Sequence, residues 1–159
     1  MSEKIKLDHV SLLVNDLDQA VTDYTDILKI LDPKAAKNIV RYENFGEGEG
    51  ANNWATFASD QCQIQLFEPI DREGFLGKRL KKYGEGLHHV CFTSSNVEAT
   101  VKRLIDARIP LTSKTLDSSP TLPWQKWTFV HFGKAHGILI EIGQRYKTID
   151  GKWVEDRED

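Results

Sequence analysis

Cysteine is nearly absent from the sequence: Cys62 and Cys91 are the only two, and both lie in strand-like segments without metal-knuckle spacing. That scarcity argues against a disulfide framework or a zinc knuckle and leaves both thiols to be read as small buried hydrophobes. Also missing is any apolar stretch approaching the roughly 20 residues of a membrane-spanning helix. The opening Met1-Ser2-Glu3-Lys4 leads into a strand-like segment instead of a signal peptide's apolar region. The chain is therefore expected to be cytoplasmic, with no membrane partner. No basic block stands out either, and 21 basic against 24 acidic side chains give a net charge of -3. Nucleic acid is not an expected partner, because its backbone is recognised by a basic footprint. A chain of 159 residues suffices for one domain, or for two half-size modules sharing a core.

What is present is a repeat. Residues 7–31 (LDHVSLLVNDLDQAVTDYTDILKIL) and 87–111 (LHHVCFTSSNVEATVKRLIDARIPL) each contain a β-rich run, a polar break and an amphipathic stretch. In the first copy Val10, Leu12 and Val14 alternate with His9, Ser11 and Leu13, the period of a strand. Asp16, with Gln19 three residues on, caps a helix whose apolar stripe is Leu17, Ala20, Val21, Tyr24, Ile27 and Leu28. In the second copy Ser95 and Glu98 read as a capping box before Val97, Val101, Leu104 and Ile105.

Three strand candidates follow each helix: 39–45, 52–59 and 62–68 in the first half, 111–115, 126–132 and 138–144 in the second. The pattern predicts one domain over residues 1–145. Module 1 spans 5–70, a basic linker helix lies within 71–85, module 2 spans 86–145, and 146–159 form a polar tail. The expected class is α+β: two βαβββ modules whose sheets pair around a shared metal-binding cavity.

In a strand covered on one side by a helix, polar residues that interrupt the apolar alternation mark the face turned toward the cavity. Four residues do this: His9, Gln65, His89 and Glu141. Overlaying the repeats matches His9 with His89 and Gln65 with Glu141. Two imidazoles, one amide oxygen and one carboxylate suit a first-row divalent cation such as Co, Ni, Zn, Mn or Fe. One carboxylate against a dication leaves about one net positive charge for an oxyanion or enolate. His88, on the opposite face from His89, is read as structural, and His131 and His136 are given no catalytic role.

The runs LDHVSLLVNDLDQAVTDY, IQLFEP, GLHHVCF and HGILIEI resemble the vicinal oxygen chelate superfamily, most like its methylmalonyl-CoA epimerases and next like glyoxalase I. The resemblance covers the chain to about residue 145. It implies paired βαβββ modules, a homodimer, and metal ligands at His9, Gln65, His89 and Glu141. It also implies an acyl-CoA or glutathione thioester or hemithioacetal as substrate. Glyoxalase I typically has Glu where Gln65 stands, which favours the epimerase side. Two departures accompany the match. Asn52-Asn53-Trp54-Ala55-Thr56 lacks the carboxylate the epimerases carry on an inner strand, and Ser118-Ser119-Pro120-Thr121-Leu122-Pro123-Trp124 replaces their Gly-rich loop.

The reaction this set suits is proton abstraction beside a carbonyl, giving an epimerase, isomerase or lyase. Glu141 is the first candidate base. Glu47 and Glu49, in the Gly-Glu-Gly-Glu-Gly segment, are the second. Two alternatives stay open at this point. One is ring-cleaving oxygenation at an iron held by two His and one carboxylate, and the other is a non-enzymatic small-molecule binder of the same fold.

Overall fold

A computed structural model describes residues 3–150 and 152–158. The chain divides into two compact units, His9–His88 and Met1–Asp8 with His89–Asp159. They are called here the N-terminal and C-terminal units.

The N-terminal unit holds the greater part of strand β1 (Ile5–Leu13), helix α1 (Leu17–Leu31), and strands β2 (Ile39–Phe45), β3 (Asn52–Phe57) and β4 (Gln63–Pro69). Helix α2 (Phe75–Tyr83) follows. The strands lie in the order β2-β3-β4-β1, with β1 parallel to β4 and the other pairs antiparallel. Asp16 starts α1 as expected, its carboxylate accepting from Gln19 N–H at 2.9 Å. The α1 stripe buries Leu17 and Leu28 against Val14, Ala55, Phe57 and Leu66, with Leu12 and Ile64 packed alongside. Odd positions of β1 and β4 are thereby turned away from the helix.

The C-terminal unit runs from β5 (Gly86–Ser94) through helix α3 (Val97–Asp106), β6 (Asp117–Ser118), β7 (Lys126–Val130) and β8 (Leu139–Gln144). The order is β5-β8-β7-β6, with β5 parallel to β8. Val97 and Val101 of α3 pack on Val130 and Ile142, and Ile140 joins them.

Three local readings need correction. The cap of α3 is Asn96, whose side chain accepts from Ala99 N–H at 3.0 Å. Ser95 is buried, and its hydroxyl oxygen accepts from Lys4 N–H at 3.2 Å instead. Residues 111–115 form no strand. Leu111 bridges Val130, but pairing resumes only at Asp117 opposite Trp127, so residues 112–116 are more than the ladder can hold and bulge out. The polar end of the chain carries a hairpin, β9 (Tyr146–Ile149) with β10 (Lys152–Glu155). It is fastened by a Tyr146–Trp153 ring contact at 4.6 Å and by Arg145 on Asp156 at 2.7 Å.

Candidate metal centre

Each unit presents one imidazole and one amide or carboxylate on the strand face away from its helix, in the same register. In the N-terminal unit His9 pairs with Gln63, and Ser11 with Gln65. In the C-terminal unit His89 pairs with Leu139, and Cys91 with Glu141. In both, the histidine stands two residues before the register partner of the amide or acid. Paired residues of neighbouring strands point to the same side, so His9 shares a face with Gln65, and His89 with Glu141.

The two half-sites differ in their contacts. His89 Nε2 lies 3.1 Å from Glu141 Oε2, with both side chains largely buried, and the His89 ring meets Phe129 edge-on at 5.8 Å. Cys91 Sγ lies within 4.8 Å of a Glu141 carboxylate oxygen. In the N-terminal unit the fully buried Ser11 hydroxyl donates to Gln65 Oε1 at 2.8 Å. Thr56 is the register partner of Gln65 on its other side. Trp54, two residues before Thr56, extends the same face and stacks on Tyr42 at 4.4 Å, with Phe45 edge-on at 5.8 Å.

The ligand-bearing strands also hold their helices. Three residues past Gln65, Glu68 Oε2 accepts from Leu17 N–H at 3.0 Å at the start of α1. Three residues past Glu141, Gln144 Oε1 accepts from Val97 N–H at 3.3 Å at the start of α3, while its Nε2 donates to Ser95 O at 3.1 Å. Each contact satisfies a first-turn N–H that the helix cannot satisfy itself.

Donors about 2.1 Å from one cation stand roughly 3 to 3.5 Å apart, depending on geometry. The 3.1 Å between His89 Nε2 and Glu141 Oε2 meets that spacing without rearrangement. Imidazole and carboxylate are both competent ligands for a borderline divalent ion, so His89 and Glu141 fit one.

Glu47 and Glu49 are exposed at the short turn Gly48–Gly50, and among the described residues neither hydrogen-bonds or ion-pairs with Gln65. His88 is buried against the edge of Phe67 at 5.2 Å, as a core residue would be. His131 Nδ1 accepts from Gly133 N–H at 3.1 Å, and His136 is exposed with φ 57°. Ser11 and Cys91 went unremarked as site neighbours in the sequence. Their signal is positional, since each lies two residues beyond a repeat histidine on the same strand face.

The chain belongs to the Glyoxalase/Bleomycin resistance protein/Dioxygenase superfamily, whose family profile matches residues 6–120. Members of this superfamily commonly use a divalent metal. Over 139 residues it is 24% identical to YqjC, an uncharacterized protein of Bacillus subtilis (strain 168), covering 86% of this chain and 90% of that relative. It superposes on the hypothetical protein BH1468 of Bacillus halodurans C-125 with a TM-score of 0.73 and 19% identity, over 92% of this chain and 99% of that one. Methylmalonyl-CoA epimerase from Mycobacterium tuberculosis gives a TM-score of 0.67 at 26% identity, over 87% of this chain and 86% of the epimerase. The expected α+β fold of this superfamily is thus the observed one. No helix of the described residues is long and apolar enough to cross a membrane.

Proposed function

We propose that the protein is a divalent-metal-dependent enzyme that removes a proton beside a carbonyl, acting as an epimerase, isomerase or lyase on an acyl-CoA thioester. The observation that carries this reading is the shared register: His9 with Gln65, and His89 with Glu141, stand in equivalent places on the helix-free faces of two parallel strand pairs. His9, Gln65, His89 and Glu141 are the assigned metal ligands. The substrate class rests on the fold's similarity to epimerases, one of them solved in complex with methylmalonyl-CoA and NH4+.

A bound cation of this kind supplies Lewis acidity to the carbonyl oxygen and favours the enolate over the thioester. The protein's own groups supply the rest. Gln65 contributes a neutral oxygen, so Glu141 is the one anion of the set and the site keeps a net positive charge. Glu141 is the assigned base. Its Oε2 lies 3.1 Å from His89 Nε2, and as the one carboxylate of the set it is the group that can take up a substrate proton. The Tyr42, Phe45 and Trp54 cluster supplies an apolar wall that excludes water from a bound acyl group. Strand β3 offers no carboxylate for a second proton transfer, so that role falls to Glu47 or Glu49 of the glycine-rich turn.

The test is elemental analysis of protein purified without added metal, followed by incubation with methylmalonyl-CoA in deuterated buffer and mass spectrometry of the thioester. About one metal per chain and metal-dependent deuterium uptake are expected, with both lost in His89→Ala and Glu141→Ala. Full metal content in both variants, or exchange indifferent to a chelator, would overturn the reading.

A further inference from the structure

The C-terminal unit holds a cavity of about 520 Å³ that none of the four assigned metal ligands lines. Lys4, Lys6 and Asp8 reach it from β1 and its approach, Thr93 from β5, and Arg145, Tyr146 and Asp156 from the β9–β10 hairpin and its flanks. Backbone hydrogen bonds fix the segments that carry these groups. Ser95 N–H donates to Lys4 O at 3.1 Å, Arg145 N–H to Ser94 O at 2.8 Å, and Asp156 N–H to Arg145 O at 2.9 Å.

The lining sorts into engaged acceptors and spare donors. Asp156 Oδ2 takes Arg145 Nε at 2.8 Å and Nη2 at 2.7 Å, and its Oδ1 accepts from Glu158 N–H at 3.2 Å. Asp8 Oδ2 accepts from the Tyr146 hydroxyl at 3.1 Å. Both carboxylates are buried and occupied. Lys4 and Lys6, by contrast, are exposed and ion-pair with no described residue. Thr93 is 2% exposed, and among the described residues its Oγ1 is buried without a hydrogen-bond partner.

An ammonium donates and never accepts, and a buried hydroxyl left unpaired is costly enough to call for a partner. The ligand that answers this lining brings acceptor oxygens and negative charge. Lys4, Lys6 and Arg145 against Asp8 and Asp156 leave one formal positive charge for it to offset. Three spare donors outnumber the two oxygens of a carboxylate and match the three free oxygens of a phosphate monoester. The volume exceeds that of a bare phosphate and falls in the range of small-molecule sites, with Ile5 adding an apolar surface.

We propose that this cavity binds a small phosphate monoester, with Lys4, Lys6 and the Thr93 hydroxyl donating to its phosphoryl oxygens. Arg145 adds positive potential while staying paired with Asp156. The site does not depend on the metal-site reading above.

The test titrates the full chain by calorimetry, at low ionic strength, with glycerol 3-phosphate, glucose 6-phosphate, inorganic phosphate and acetate. Wild type, Thr93→Val and the double variant Lys4→Gln with Lys6→Gln are compared, and wild type is repeated after metal stripping. About one ester per chain is expected, bound more tightly than inorganic phosphate, with acetate not bound. Thr93→Val should weaken ester binding about 10- to 100-fold, the worth of a hydrogen bond to a charged group. The lysine variant should weaken it about tenfold or more and flatten its salt dependence. Melting separates this from a folding defect. Without ligand Thr93→Val should melt at or above wild type, having lost an unpaired buried hydroxyl, and with saturating ester wild type should melt higher.

Wild-type ester affinity in either variant, inorganic phosphate bound as tightly as the esters, or no anion bound by wild type overturns the proposal. Ester binding abolished by metal stripping places the anion at the metal centre and overturns it as well. Failure to find metal in the purified protein touches only the earlier reading.

Discussion

The sharpest stability consequence of the duplicated frame lies at Glu68 and Gln144, which do the same task in equivalent places under different burial. Gln144 is 0% exposed and makes two hydrogen bonds, accepting from Val97 N–H and donating to Ser95 O. Replacing it by leucine keeps the volume and strands a buried donor and a buried acceptor. Each orphaned group costs about 1–3 kcal/mol. The added apolar burial recovers about 1–2 kcal/mol, so at the middle of these ranges Gln144→Leu should cost about 2–3 kcal/mol. Glu68 caps α1 through Leu17 N–H and pairs its other carboxylate oxygen with the half-exposed Arg72, and its side chain is 25% exposed. Glu68→Ala should cost about 1–2 kcal/mol, a helix cap together with a partly exposed ion pair. Urea denaturation of both variants and wild type, compared by midpoint at constant m, measures the difference. A Gln144→Leu cost equal to or below that of Glu68→Ala would show that burial does not set the worth of these contacts.

Two further outcomes follow from other parts of the chain. Gly77→Ala would add about 1 kcal/mol of helix propensity on an open helix. Here the new Cβ would fall 2.1 Å from the Arg72 carbonyl oxygen, so α2 must shift and a net loss of about 1–3 kcal/mol is expected in urea; a stabilised variant would contradict the packing. Glu98 is held below the ordinary glutamate value of 4.5, first by the hydrogen bond from Lys126 at 2.8 Å and further by Arg157, against the opposing effect of burial. A carboxylate lowered on folding stabilises fully above its unfolded value and loses that contribution as pH falls through its folded value. Glu98→Gln should therefore cost up to about 1 kcal/mol at pH about 7, limited by solvent screening, and nothing at pH about 2. Paired denaturation curves at the two pH values check it, and an equal deficit at both would refute the assignment.

Strand and helix periods were legible wherever side chains face one helix. The alternation in β1 and β4 announced which face carries His9 and Gln65, because one misplaced residue would have turned apolar Leu12 or Leu66 away from α1. The same logic located His89 and Glu141. Choices between chemically similar neighbours were not legible. Ser95 and Asn96 are both good caps, and Asn96 took the role because the Ser95 hydroxyl was already engaged with the distant Lys4 N–H. Residues 112–116 read as a strand because nothing local reveals that the opposing ladder is too short. The β9–β10 hairpin escaped notice for a related reason. Lys152-Trp153-Val154-Glu155 is too polar to announce a strand, and its order comes from Trp153 on Tyr146 and Asp156 on Arg145.

Duplication supplies matching positions, but the proposed chemistry requires them to be filled unequally. Two carboxylates at the equivalent places would neutralise a dication, leaving little charge to stabilise an enolate oxygen; two amides would leave no base among the assigned ligands. One of each meets both needs, a net positive site and a single proton acceptor. Beside the amide, the Ser11 hydroxyl donates to Gln65 Oε1. On this reading Gln65 is no weakened copy of a glutamate. In the proposed chemistry its neutrality keeps the site positive while the carboxylate of the other repeat serves as the base.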